Sequence, residues 1–265
     1  MLKEILIEMG EVGRRLHQMG ASEGGAGNIS ICLRERLDVS QLFPIEEQIQ
    51  LPIETPHLAG MMIIATGSGC RLRDIHEDPT ANLGCLVVHD GGQTGQLFTA
   101  HDRGFKRLTS EINSHLIVHN HEMGKGTSEI HAVVHAQPLH TTYLSHIERY
   151  QNEDYFNRHL LRWQPETIIQ FPQGFGMTRY EVPGTNAIAL TTLAAMKTHT
   201  LVIWARHGVI ARSDSLMQAY DRIEYAEAAA HYEYLNLTLG EPSSGLSNEE
   251  ILGICKTYNI VQSMF

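Results

Sequence analysis

Two histidines sit where a sheet would deliver them. His135 closes the apolar run Ala132-Val133-Val134, and His207 follows Val202-Ile203-Trp204-Ala205-Arg206. Core strands often end at a shared edge of a sheet, where sites collect, and a neutral imidazole there is a ready metal ligand. Either histidine taken alone also reads as a satisfied structural residue. Glu111 is placed differently. It lies in the first turn of a helix opened by Thr109-Ser110, so a substrate held at that helix end lies beside a carboxylate. Such a group can take a proton from a carbon next to a polarised carbonyl. Its plainer reading is a helix-start acid that complements the dipole. Three small-residue turns complete the set: Gly27-Asn28, Thr66-Gly67-Ser68-Gly69 and Thr109-Ser110. Together they offer N–H and O–H donors for a phosphate without a Walker-type loop.

The remaining histidines, from a total of 16, carry less. His119 and His121 read as an HxH pair, but they fall on the helix after Glu111. Helix positions two apart point to nearly opposite sides, so no metal role is expected there. His131, His140 and His146 lack the strand-end setting of His135.

The elements that must carry these residues follow from hydrophobic spacing. Leu2, Ile5, Met9, Val12, Leu16 and Met19 recur at helical steps up to Gly20. Strands are expected over 29–33, 61–65, 86–88, 97–98, 132–135, 167–171 and 200–204. Helices are expected over 109–121, most of 139–162, 186–197 and 215–239, with a short last one capped at Ser247. Residues 34–58, with Pro44, Pro52 and Pro56, read as irregular. The strands do not alternate strictly with helices. This predicts one α/β domain over residues 1–265, with a central mixed, largely antiparallel sheet flanked by helices.

Composition narrows the function classes. Hydrophobic residues are 42% and charged residues 19%, ordinary for a globular chain with a sizeable core. The net charge of −10, with no Lys/Arg run longer than a pair, supports neither a nucleic-acid nor an anionic-membrane surface. Four scattered cysteines without a CxxC pair point to a reducing cytoplasm, and no apolar run is long enough to span a bilayer.

Several segments recur in a telling order: Gly27-Asn28-Ile29-Ser30, Thr66-Gly67-Ser68-Gly69, Pro79 through Asn82-Leu83-Gly84, and Leu108-Thr109-Ser110-Glu111. Phe171-Pro172-Gln173-Gly174, Val182-Pro183-Gly184-Thr185 and Trp204-Ala205-Arg206-His207-Gly208-Val209 follow them. Over nearly the whole chain this pattern resembles the class II aldolase and adducin family. The resemblance implies a metal-dependent lyase. It would split a ketose 1-phosphate such as rhamnulose 1-phosphate into dihydroxyacetone phosphate and a hydroxyaldehyde such as lactaldehyde. It also implies zinc and a cytoplasmic homotetramer with sites near subunit interfaces. Residue by residue, it implies phosphate binding by Gly27 with Asn28, by Gly67 with Ser68, and by Ser110. Glu111 would be the acid/base, Glu166 an assisting acid near the aldehyde, and His135 and His207 zinc ligands.

One position departs from the family pattern. Gln137 stands where the second histidine of a His-x-His ligand pair belongs. Three resolutions are open. The Gln137 amide oxygen ligates and shifts preference toward manganese or a similar ion; His140 swings in; or the chain is a metal-poor binding module, as adducin heads are. A sugar-phosphate epimerase or dehydratase is the alternative chemistry within the same superfamily.

Overall fold

The computed structural model describes residues 1–240, 242–262 and 264–265. Its strands are β1 (Asn28–Leu33), β2 (Ile45–Gln50), β3 (Met62–Thr66), β4 (Leu83–Val88), β5 (Thr94–Thr99), β6 (Ile130–Ala136), β7 (Gly176–Thr178), β8 (Leu201–Trp204) and β9 (Gly208–Ser213). They form one sheet in the order β2-β5-β4-β3-β1-β6-β9-β8-β7. Every pairing is antiparallel except β7 with β8. The sheet is therefore mixed and largely antiparallel, as expected. The helices are α1 (Leu2–Gln18), α2 (Pro79–Asn82), α3 (Ile112–Met123), α4 (Leu139–Leu144), α5 (Glu153–Leu160), α6 (Pro165–Gln170), α7 (Asn186–Met196), α8 (Leu216–Thr238) and α9 (Asn248–Tyr258). Among the described residues no helix is long and apolar enough to cross a membrane.

The sheet is covered on both faces, which is why all six residues of central β1 are buried. Side chains alternate along a strand. Ile29, Ile31 and Leu33 join one core with residues of α1 and α8. Asn28, Ser30 and Cys32 face the other way, toward α3, whose Leu116, Ile117 and Val118 pack in the cores on that side. A helix step of four residues rises about 6 Å and a strand step of two about 6.6 Å. Glu111, His115 and His119 can therefore keep register with Asn28, Ser30 and the strands beside them.

Three expectations are corrected. Residues 165–170 form helix α6, not a strand. Pro165 occupies the first helical turn, where its missing N–H costs nothing, and the Thr167 hydroxyl donates to the Leu161 and Gln164 carbonyls at 2.7 and 2.6 Å. The irregular 34–58 segment contains edge strand β2, whose Glu46, Glu47 and Gln48 are exposed. Charged side chains are common on an unpaired edge and weaken the strand signal. Residues 139–162 break into α4, a short turn of helix over Glu148–Gln151, and α5. Strands β7 and β9 were not anticipated.

Candidate active site

Four adjacent central strands present their ends side by side. Asn28 opens β1 and pairs with His135 near the end of β6; β3 ends at Thr66, and β9 begins at Gly208. The chain after β3 is held to the segment before α3 by a Gly67–Leu108 bridge, with Ser68 N–H donating to the Arg107 carbonyl and Thr109 N–H to that of Thr66, each at 2.9 Å. Glu111 is thereby fixed at the N-cap of α3. It is not the helix-start acid of the plainer reading: it is 4% exposed, with its carboxylate turned onto the sheet ends.

Two glycines are needed for these approaches. Gly27 has φ +80°, and a Cβ there would sit 3.0 Å from the His135 carbonyl oxygen. A Cβ on Gly67 would lie 2.2 Å from two ring carbons of Phe105 and 2.7 Å from its Cβ, so rotating the ring gives no relief. Gly67→Ala is therefore expected to destabilise the fold by about 1–3 kcal/mol through overpacking, read as a lower urea midpoint with unchanged m-value.

His207 lies in the turn between β8 and β9, directly after Arg206, which is held at φ +65°. Only a small minority of non-glycine residues adopt that conformation, and such residues collect at sites. The Arg206 N–H donates to Ser145 Oγ at 2.8 Å and anchors the turn. The Trp204 indole, fixed by its 2.7 Å bond to Thr192 Oγ1, packs against the rings of both His135 and His207.

The three groups converge. His135 Nε2 is 3.4 Å from Glu111 Oε2, and His207 Nε2 is 3.4 Å from Glu111 Oε1. All three ligand atoms lie within 4.8 Å of one another, the one such group of three among the described residues. His135 Nδ1 lies 2.8 Å from the Val209 carbonyl, so Nδ1 carries a proton and Nε2 is the nitrogen that faces Glu111. Glu111 Oε1 is buried without a hydrogen-bond partner among the described residues, although it is 3.4 Å from His207. That contact is thus an approach of two groups and not a hydrogen bond. Zinc holds nitrogen and carboxylate oxygen at about 2.0–2.2 Å in a tetrahedron, which puts neighbouring donors about 3.4 Å apart. Each imidazole stands near that edge length from one of the two Glu111 oxygens, and one atom from each residue lies within 4.8 Å of the others, so the set is compact enough for a divalent metal.

Electrostatics keep the donors in ligating form. Burial pushes the Glu111 carboxyl upward, but His135, the hydrogen bond from Asn28 and then His207 outweigh it and hold the group below its ordinary value. Burial takes the His207 imidazole down to about 4, assisted by His135. A deprotonated carboxylate and a neutral imidazole are the forms a metal requires.

These groups line a cavity of about 190 Å³ that also holds Gly27, Asn28, Gly67, Ser68, Ser110 and Gln137. Its described lining contains no Lys or Arg. The N–H groups of Gly67 and Ser68 are taken by the Asn82 and Arg107 carbonyls, so that turn offers an anion the Ser68 hydroxyl instead. A larger, more apolar cavity of about 430 Å³ lies across Thr109 and Ser110. It contains none of the converging imidazoles, and chemistry favours the smaller one.

A profile described as class II aldolase and adducin N-terminal domain matches residues 7–234. The chain belongs to the class II aldolase and adducin family. It is 28% identical over 255 residues to a rhamnulose-1-phosphate aldolase of Bacteroides thetaiotaomicron, covering 96% of this chain and 93% of that one. To the same-named protein of Pectobacterium atrosepticum it is 29% identical over 248 residues, covering 91% and 88%. A solved sugar-phosphate aldolase from Thermotoga maritima superposes with TM-score 0.78 at 29% identity, covering 92% of this chain and 99% of that one.

Within this class II aldolase frame, Gln137 lines the cavity at the departure from the family pattern, with its N–H held by the Ala21 carbonyl at 2.8 Å. His140 does not join it. Its Nδ1 is 2.7 Å from Glu227 Oε1, and its ring stacks on His231. Glu166 is not brought to the cavity either; it lies exposed on α6. The sequence reading missed Ser30, His115 and His131, which form a buried network behind Asn28. Its signal was faint: His115 and His119 fall four and eight residues after Glu111, on one helical face.

Proposed function

We propose that the chain, as one class II aldolase-like domain over 1–265, is a metal-dependent lyase. It cleaves a ketose 1-phosphate of the rhamnulose type to dihydroxyacetone phosphate and a hydroxyaldehyde such as lactaldehyde. The observation that carries the reading is the pair of 3.4 Å separations of His135 and His207 from one buried carboxylate. Its aldolase relatives support the lyase class.

Glu111, His135 and His207 would hold the metal in the substrate-free site, with Gln137 from the same lining as a further donor, and Glu111 would act as the acid/base once substrate oxygens take its place. Zinc is the first expectation, and manganese or a similar ion gains from the harder amide ligand. A divalent ion there supplies Lewis-acid stabilisation of the enediolate charge. The Ser68 and Ser110 hydroxyls and the Asn28 amide hold the phosphate, with Gly27 and Gly67 letting the chain come close. Without a lysine or arginine in the lining, the phosphate is held by neutral donors in a geometry fixed by the strand ends. Glu111 takes the proton of the hydroxyl that becomes the aldehyde, cleavage leaves the bond's electron pair on the three-carbon fragment, the aldehyde departs, and Glu111 returns that proton to the carbon. The exposed Glu166 assists at the aldehyde end only if a neighbouring subunit brings α6 to the site. A cytoplasmic homotetramer, as the family resemblance implies, is part of this reading.

The test is a coupled assay for dihydroxyacetone phosphate with rhamnulose 1-phosphate, before and after chelation and after returning zinc or manganese. Release that stops on chelation and returns with metal is expected. Product that is an isomer of the substrate would favour an epimerase, and no product with any metal would favour the adducin-like binding module.

A further inference from the structure

Behind the site runs a continuous line of buried hydrogen bonds. Asn28 Nδ2 donates to Glu111 Oε2 at 2.7 Å, and Asn28 Oδ1 is 2.5 Å from His115 Nε2. His115 Nδ1 is 2.6 Å from Ser30 Oγ, which is 2.7 Å from His119 Nε2. His119 Nδ1 is 2.8 Å from His131 Nδ1. Ser30, His115, His119 and His131 are each at most 1% exposed.

The chemistry of the groups fixes every proton in this line. The structure sets the Asn28 NH₂ toward Glu111 and its amide oxygen toward His115. His115 Nε2 must then carry a hydrogen. Burial keeps all three imidazoles neutral, His115 and His131 down to about 3 and His119 well below its ordinary value. A neutral ring has one N–H, so His115 Nδ1 accepts from Ser30. Ser30 has then given its only proton and accepts from His119 Nε2. His119 Nδ1 is left to accept from His131 Nδ1. All donors point one way, toward Glu111. The line ends at His131 Nε2, a buried atom without a partner among the described residues, as a lone pair must be where no donor meets it.

Protons do not travel along this line to Glu111, because passing one through Asn28 would require the imidic acid form of its amide. What passes is orientation. Were His115 to carry its proton on Nδ1, Asn28 would turn over and set its oxygen against the carboxylate. We propose that Ser30, His115, His119 and His131 are positioning residues: their one-way hydrogen bonds hold the Asn28 amide toward Glu111 and keep that carboxylate aimed into the cavity. The functional half of this proposal rests on Glu111 as the proton-transfer group of the lyase.

The first experiment reads the tautomers directly, by long-range ¹H–¹⁵N spectra of the full chain with labelled histidine. His115 and His119 are expected as Nε2–H and His131 as Nδ1–H. The second compares His115→Phe, which removes the donor to Asn28, with His115→Gln, which keeps an amide N–H in reach of it. At saturating metal, His115→Phe is expected to lose about 10–100-fold in kcat with KM little changed, and His115→Gln to recover most of that loss. A His115 ring protonated on Nδ1 would overturn the proposal, as would a folded, metal-loaded His115→Phe with wild-type kcat. If His115→Phe fails to fold, the wild-type spectra still decide. If the wild type cleaves no ketose 1-phosphate, the lyase reading fails by itself, and the spectra judge the network separately.

Discussion

Glu111→Gln is expected to lower kcat by about 10²–10⁴-fold at saturating zinc, the range that a positioned general acid/base supplies. The substitution preserves size and leaves an oxygen to accept from Asn28, so the fold should persist. It removes the group that holds and returns the proton. It also removes the negative partner that faces both His135 and His207 at 3.4 Å, so metal affinity should fall about 10–100-fold as well. The two losses separate in one measurement. Exchange of solvent deuterium into dihydroxyacetone phosphate needs proton transfer but no aldehyde. With metal saturated, wild type should exchange and Glu111→Gln should not. Exchange at the wild-type rate would move the base elsewhere.

Mild acid should unfold the metal-free protein. His115, His119 and His131 are held neutral by burial, two of them down to about 3 and His119 well below its ordinary value. In the unfolded chain each takes a proton near pH 6.5. Below that value the unfolded state binds more protons than the folded one, so stability falls as pH falls, from about 6.5 toward about 3. The slope is about 1.4 kcal/mol per pH unit for each histidine. By pH 5 the loss is about 2 kcal/mol each, about 6 for the three, against a typical total of about 5–15. Glu111, depressed in the fold, acts in the same direction at lower pH. The melting temperature should therefore drop steeply between pH 6.5 and 5. A flat profile to pH 4.5 would mean that these rings already carry protons in the folded state.

The site was legible in the sequence wherever a residue stood at the end of an apolar run. His135 and His207 were found that way, and so was the turn at Gly67. Glu111 was placed one or two residues too far into its helix, because Thr109-Ser110 looks like a cap while the buried carboxylate answers to Asn28 across the sheet. Thr167-Ile168-Ile169 read as a strand because a short β-branched run has no period that separates strand from buried helix. The network through Ser30, His115 and His119 was not legible. It exists only because α3 lies along β1, and nothing local marks a helical histidine as facing a strand serine. His119 was set aside as half of an HxH pair, and its place in the network comes from the register between helix and strand.

The central claim is a metal centre built on Glu111, His135 and His207 that tolerates Gln137. Counting metal per chain by mass spectrometry tests it directly, with untagged protein dialysed against trace zinc and manganese and Gln137→His run in parallel. The account predicts about one ion per chain in the wild type and tighter retention in Gln137→His. No ion in the wild type but one per chain in Gln137→His would contradict it: the site would then be intact in shape and switched off by that single residue.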